Sequence, residues 1–213
     1  MADWYQKKTF GSLAQTMADR FGDREALVYR DERYTFNEVL ARVDEVAKGL
    51  ISLGVEQGDH VALWMMNRAE WIFTMFALAK IGAVQVPVNT RFRTHDLAYL
   101  LKQSDTRFLI SHDSSGPIEY LDMIKEVVSL PAAGHEIADT DYPELKKIVI
   151  FGQPNHPGCV GWGSMLKQGQ SIDTAQLNAR AAGVDPDQPV FIMYTSGTTG
   201  FPKGAHLHHY GIT

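Results

Sequence analysis

The chain has 213 residues and a formal net charge of −5, with 45% hydrophobic and 21% charged residues. That length fits one domain, or one with a small appendage, and the acidic balance argues against nucleic acid as a partner, since phosphates call for a basic face. The only cysteine, Cys159, excludes an internal disulfide and a Cys-based zinc site, and is expected to be a buried inert thiol.

Met1 to Phe10 is polar and holds Lys7 and Lys8 with no apolar core behind them, so it does not read as a secretory signal. Between Thr35 and Gly54, Phe36, Val39, Leu40, Val43, Val46, Ala47, Leu50 and Ile51 recur at helical spacing. Thr35 with Glu38 makes a capping box, and Gly54 is placed to end the helix in a left-handed turn. Ahead of it, Asp31-Glu32-Arg33 reads as a hairpin turn. His60 to Met66 predicts a buried strand, with Trp64, Met65 and Met66 as core. Ala69 to Ile81 predicts a helix and Ala83 to Val88 a strand. The apolar stretch Trp71 to Val88 is interrupted by Thr74, Lys80 and Gln85 and broken by Gly82 and Pro87, so it is no transmembrane segment. A cytoplasmic location is the expectation.

Thr94 is expected to cap a helix through about Gln103, followed by a strand from Arg107 to His112. Ile118 to Leu130 reads as a helix and Lys147 to Phe151 as a strand. Gly152 to Gly163, rich in Gly and Pro, reads as surface loop. Asp173 to Ala182 predicts a short helix, and a polar turn at Asp185 to Gln188 leads into a strand from Pro189 to Tyr194. Helices alternating with short apolar runs define an α/β fold: a largely parallel sheet flanked by helices.

Directly after the last strand comes T-S-G-T-T-G-F-P-K-G, Thr195 to Gly204. Gly197 and Gly200 let consecutive amide hydrogens turn toward one anion. Thr195, Ser196, Thr198 and Thr199 add hydroxyl donors, and Lys203 adds a full positive charge on a flexible stem beside the rigid Pro202. Together they suit a polyphosphate. It is not a Walker A loop, because Lys203 follows Pro202 and precedes Gly204. Nor is there a dinucleotide fingerprint: Gly161 and Gly163 begin one, but Leu166 occupies its last position.

Ile192 through Lys203 resembles the phosphate-loop motif of the adenylate-forming (AMP-binding) superfamily, which includes acyl-CoA synthetases, luciferases and peptide-synthetase adenylation domains. Y-T-F-N-E-V-L from Tyr34 and A-L-A-K-I-G-A-V-Q-V-P-V-N from Ala77 are similar to further blocks of that family, in the right order. Asn89 and R-F-R-T-H-D-L-A-Y-L-L from Arg91 favour the free-standing acyl-CoA synthetase, or fatty-acid–CoA ligase, branch. The resemblance implies a carboxylic acid, ATP, Mg2+ and CoA as reactants and co-substrates. An acyl-adenylate would form with release of pyrophosphate, then a CoA thioester. By position, Thr195, Ser196, Gly197, Thr198, Thr199, Gly200 and Lys203 would bind the phosphates, with Lys203 auxiliary rather than the family's catalytic lysine.

The resemblance also implies that residues 1–213 are the N-terminal portion of the AMP-binding domain, since the chain ends nine residues after Gly204 and the family's later motifs are absent. The expectation is therefore an N-terminal portion of an acyl-CoA synthetase, inactive alone, with no catalytic residue and no metal ligand of its own. Apolar surface exposed by the missing part would favour self-association. The alternatives are a non-catalytic polyphosphate-binding half-protein or remnant, and the luciferase-like or peptide-synthetase branch. His206, His208 and His209 invite a metal reading, but no carboxylate or cysteine accompanies them; His209 reads more simply as the start of a following helix.

Overall fold

The computed structural model describes residues 7–132, 135–152, 156–195 and 202–213. The first helix, α1 (Ser12–Phe21), leads into an antiparallel hairpin of β1 (Glu25–Tyr29) and β2 (Glu32–Thr35), in which Tyr29 pairs with Glu32, so the turn is Arg30-Asp31 and the expected turn residues Glu32 and Arg33 belong to β2 instead. Next come α2 (Phe36–Ser52), β3 (His60–Trp64), α3 (Ala69–Ile81), β4 (Val84–Pro87), α4 (Thr94–Gln103) and β5 (Phe108–His112). A two-residue ladder, β6 (Ser114–Ser115) with β7 (Ile118–Glu119), precedes α5 (Tyr120–Val127). The chain closes with β8 (Lys147–Phe151), β9 (Val160–Gly161), α6 (Trp162–Gly169), α7 (Thr174–Ala182), β10 (Pro189–Thr195), β11 (Lys203–His208) and a 3-10 turn (His209–Ile212).

Among the described residues the main sheet has the order β11-β10-β4-β3-β5-β8-β9, and every neighbouring pair is parallel except β10 with β11. The helix α3 carries the chain from β3 to β4 on one side, and α4 returns it to β5 on the other. The strands β3, β4, β5 and β8 are buried on both faces, which is why they read as apolar runs rather than as alternation. Period-2 geometry sends Val61 and Leu63 of β3 to one face and Ala62 and Trp64 to the other. The first face packs with Phe108, Ile110 and Val149 under α2, α3 and α6. The second packs with Leu109, Ile148, Ile150 and Ile192 under α4 and α5.

Local chemistry sets the helix boundaries. The Thr35 hydroxyl accepts the Glu38 amide hydrogen at 3.2 Å, and the Glu38 carboxylate accepts that of Thr35 at 2.7 Å. Two amides at the α2 start are thereby satisfied. Gly54, at φ 90°, follows its end. Lys80, which interrupts an apolar run in the sequence, is buried in α3 with its ammonium against Asp44 of α2.

Several expectations need correction. Thr94 does not cap α4: Asp96 accepts the Arg93 amide hydrogen at 3.0 Å, and the Thr94 hydroxyl bonds Glu126 instead. The stretch 152–163 is not all loop, since it contains β9 and the first two residues of α6. That helix is hidden by its glycines, and one of them is required. A Cβ on Gly169 would stand 2.5 Å from the Gly49 amide nitrogen, so α6 and α2 touch backbone to backbone there. Met66 is exposed, unlike its buried neighbours Trp64 and Met65. Cys159 is only half-buried.

Candidate functional site

The strand β10 is anchored at its start and free at its end. Val190, Phe191 and Ile192 are buried, whereas Met193 and Thr195 are exposed. Because β10 runs parallel to β4, Thr195 emerges at the carboxyl edge of the parallel strands, where open α/β sheets bind ligands. The chain then returns as β11, and the antiparallel register sets Lys203 opposite Thr195 and Gly204 opposite Tyr194. The two ends of the phosphate motif are therefore brought together across a hairpin. Ser196, Gly197, Thr198, Thr199 and Gly200 lie outside the described residues.

Close packing fixes the hairpin base. A Cβ on Gly204 would meet Ile192 Cγ2 at 2.7 Å and Tyr194 Cζ at 3.3 Å, so only glycine lets β11 lie this close. The Tyr99 hydroxyl donates to the Pro202 carbonyl at 3.0 Å. The Tyr194 hydroxyl donates to Gln103 Oε1. Burial, with Tyr99 nearby, pushes the Tyr194 hydroxyl up to about 12, so it stays a donor at neutral pH.

The three C-terminal histidines separate. His206 and His208 are exposed on β11, with the His206 ring edge-on to His60 at 6.4 Å. His209 is buried at the start of the 3-10 turn, where its Nδ1 accepts the Phe10 amide hydrogen at 3.0 Å. The His209 and Tyr210 amide hydrogens go to the Gln188 and Pro186 carbonyls, closing the hairpin onto the turn before β10. Burial lowers the His209 imidazole to about 4. Among the described residues, no group of three or more His, Cys, Asp or Glu side chains is arranged to hold a metal ion.

A second feature lies on the same edge. A cavity of about 580 Å³ is lined by Asn67, Arg68, His112, Asp113, Ser115 and Phe151, among others, at the ends of β3, β5 and β8. The Arg68 guanidinium sits 3.9 Å from the Phe151 ring centroid and pairs with Glu70 at 2.5 Å. Tyr194 lies within the stretch Ile192 to Lys203, whereas Tyr99 and Gln103 lie outside it. Their signal was the four-residue spacing of Tyr99 and Gln103, which puts two polar tips on one face of α4.

Fold and hairpin together define an α/β domain that carries a Thr- and Lys-bearing hairpin at the carboxyl edge of its parallel strands. The chain matches the AMP-binding enzyme family over residues 14–213, and it belongs to that family. YngI of Bacillus subtilis, whose name designates an acyl-CoA synthetase, is 39% identical over 96% of this chain and 38% of its own. The human medium-chain acyl-CoA ligase ACSF2, mitochondrial, is 32% identical over 96% of this chain and 34% of its own. The chain thus spans little more than a third of the length of these curated relatives.

Among solved structures, the anthranilate CoA ligase AuaEII in complex with anthranoyl-AMP superposes with a TM-score of 0.77 at 25% identity, covering 96% of this chain and 35% of that one. The inhibitor-bound N-terminal domain of FACL13 from Mycobacterium tuberculosis gives 0.72 at 29% identity, covering 95% and 44%. No helix among the described residues is long and apolar enough to cross a membrane.

Proposed function

We propose that this chain is the N-terminal portion of an ATP-dependent acyl-CoA synthetase. Such an enzyme joins a carboxylic acid to ATP as acyl-AMP with release of pyrophosphate, then transfers the acyl group to CoA. The observation that carries the reading is the hairpin register that sets Lys203 opposite Thr195 at the carboxyl edge of the sheet. The carboxylate attacks the α-phosphorus, so negative charge grows on the departing pyrophosphate. Thr195, Ser196, Gly197, Thr198, Thr199, Gly200 and Lys203 are assigned to the β- and γ-phosphates, where fixed donors lower the barrier by meeting that charge as it forms. Lys203 is an auxiliary electrostatic residue in this scheme.

Magnesium belongs to the reading as the counter-ion of the triphosphate, sharing its negative charge. No set of three or more His, Cys, Asp or Glu side chains converges to hold it among the described residues. The chain spans little more than a third of its curated relatives, and alone it is expected to be inactive.

The test is pyrophosphate–ATP exchange across a panel of straight-chain carboxylic acids, using the protein expressed from its complete reading frame. Lys203→Ala is expected to slow exchange on the order of 10²-fold, the usual effect of losing one preorganised charge-stabilising group. Its unfolding transition stays in place, because Lys203 is exposed. Exchange at the unsubstituted rate in that variant removes Lys203 from the mechanism. No exchange with any acid in the intact protein counts against the enzyme reading altogether.

A further inference from the structure

The base of the phosphate hairpin is held from outside the hairpin. Tyr99 bonds the Pro202 carbonyl, one residue ahead of Lys203. The Tyr194 ring lies against the α-carbon of Gly204, one residue after it, and the Tyr194 hydroxyl is tied to Gln103. Both anchors lead to a single helix. Tyr99 and Gln103 are four residues apart on α4, so they share a face and lie about 6 Å apart along its axis. Pro202 and Gly204 are two residue steps apart in extended chain, about 7 Å. Helix and strand therefore present their anchors at matching intervals, and Lys203 lies between them.

We propose that α4 is a brace for the phosphate loop, with Tyr99 and Tyr194 as positioning residues that fix the backbone from which Lys203 reaches pyrophosphate. This rests on the assignment of the loop to pyrophosphate made above. The lysine stem is long and freely rotating, so the aim of its ammonium depends on how firmly its own α-carbon is held. A displacement of about 1 Å at a positioned group is enough to weaken a reaction many-fold. Neither tyrosine is assigned a contact with the nucleotide; each acts through the chain on one side of Lys203.

Tyr99→Phe deletes the hydroxyl and keeps the ring. Calorimetry on the protein expressed from its complete reading frame measures binding of inorganic pyrophosphate, and of AMP, which lacks the β- and γ-phosphates. Four forms are compared: unsubstituted, Tyr99→Phe, Lys203→Ala and the double variant. The brace predicts that Tyr99→Phe weakens pyrophosphate binding roughly three- to tenfold, the range for one lost hydrogen bond. AMP binding stays unchanged, and the substitution adds nothing in the Lys203→Ala background. Tyr194→Phe, which frees the Gln103 end, is expected to act in the same direction and serves if Tyr99→Phe folds poorly.

A hydroxyl that only stabilised the fold would weaken AMP and pyrophosphate alike, or neither, and that result overturns the brace. So does a loss that persists in full when Lys203 is already alanine. If Lys203→Ala weakens pyrophosphate binding and both tyrosine variants do not, the brace fails while the loop assignment stands. If Lys203→Ala itself leaves pyrophosphate affinity unchanged, the loop assignment fails and the brace with it.

Discussion

His209 is fully buried where β11 gives way to the last turn, and its Nδ1 accepts the Phe10 amide hydrogen. That bond requires a neutral ring, because an imidazolium carries a proton on both nitrogens and would set donor against donor. Burial lowers the imidazole from its ordinary 6.5 to about 4, and Asp185 nearby opposes the shift without cancelling it. Above about pH 7 the folded and unfolded chains both hold this ring neutral, and its burial costs nothing in protonation. As the pH falls from 6.5 toward 4 only the unfolded chain takes up the proton, so stability is lost across that window. At about 1.36 kcal/mol per pH unit, the full fall amounts to about 3 kcal/mol, reached near pH 4.

His209→Asn keeps an acceptor near the Nδ1 position and removes the titration. Urea unfolding of the two proteins from pH 7.5 to pH 4.5 isolates the contribution. Other groups that titrate here, including His112, whose pKa burial also lowers, act in both proteins and drop out of the difference. The stability gap between the two forms is expected to move in favour of the asparagine variant by about 2–3 kcal/mol on acidification. Parallel curves over that range would refute the reasoning.

Further substitutions test the packing and the caps. Gly169→Ala drives a methyl group into the Gly49 backbone and is expected to cost about 1–3 kcal/mol in urea unfolding. Gly163→Ala, in the same helix with nothing within 4 Å of the new methyl, is expected to be near neutral. Thr35→Ala removes the hydroxyl half of the α2 capping box and is expected to cost about 1 kcal/mol by the same measurement. Burial pushes the Cys159 thiol from 9.0 up to about 11. Its alkylation by iodoacetamide at pH 7.5 is therefore expected to run about 100-fold slower than that of an exposed cysteine, in line with the smaller thiolate fraction.

Where an element rests on its own residues, the sequence shows it. The helix α3 has the expected bounds because apolar residues run up to Gly82, which sits in a left-handed conformation at its end. The α2 start follows from two side chains three residues apart. Elements that owe their form to distant neighbours were hidden. The helix α1 buries only Ala14 and Ala18, too small a stripe to stand out. The glycines of α6 argue against a helix until the close approach to Gly49 is known.

The strand β11 is polar and largely exposed, and it exists because β10 offers it a partner; the helix expected to start at His209 does start there, as a single 3-10 turn. The Thr195–Gly204 motif was legible as a motif because it is local: glycines, hydroxyls and a lysine fall within ten residues. Its support was not, because Tyr99 reads as one more side chain on the inner face of α4 until Pro202, a hundred residues later, is set beside it.

The position of β10 in the sheet also bears on the order of assembly. The strands β3, β4 and β5 are linked by single helices and can pair soon after one another. The strand that carries the phosphate motif joins at Gln85 through Phe191, more than a hundred residues later in the chain. Closing so large a loop costs more chain entropy than any of the helical crossovers, and such contacts form slowly. The region that would receive the nucleotide is therefore the last part of this sheet to be built, and a ribosome must release nearly all of these 213 residues before the site can exist.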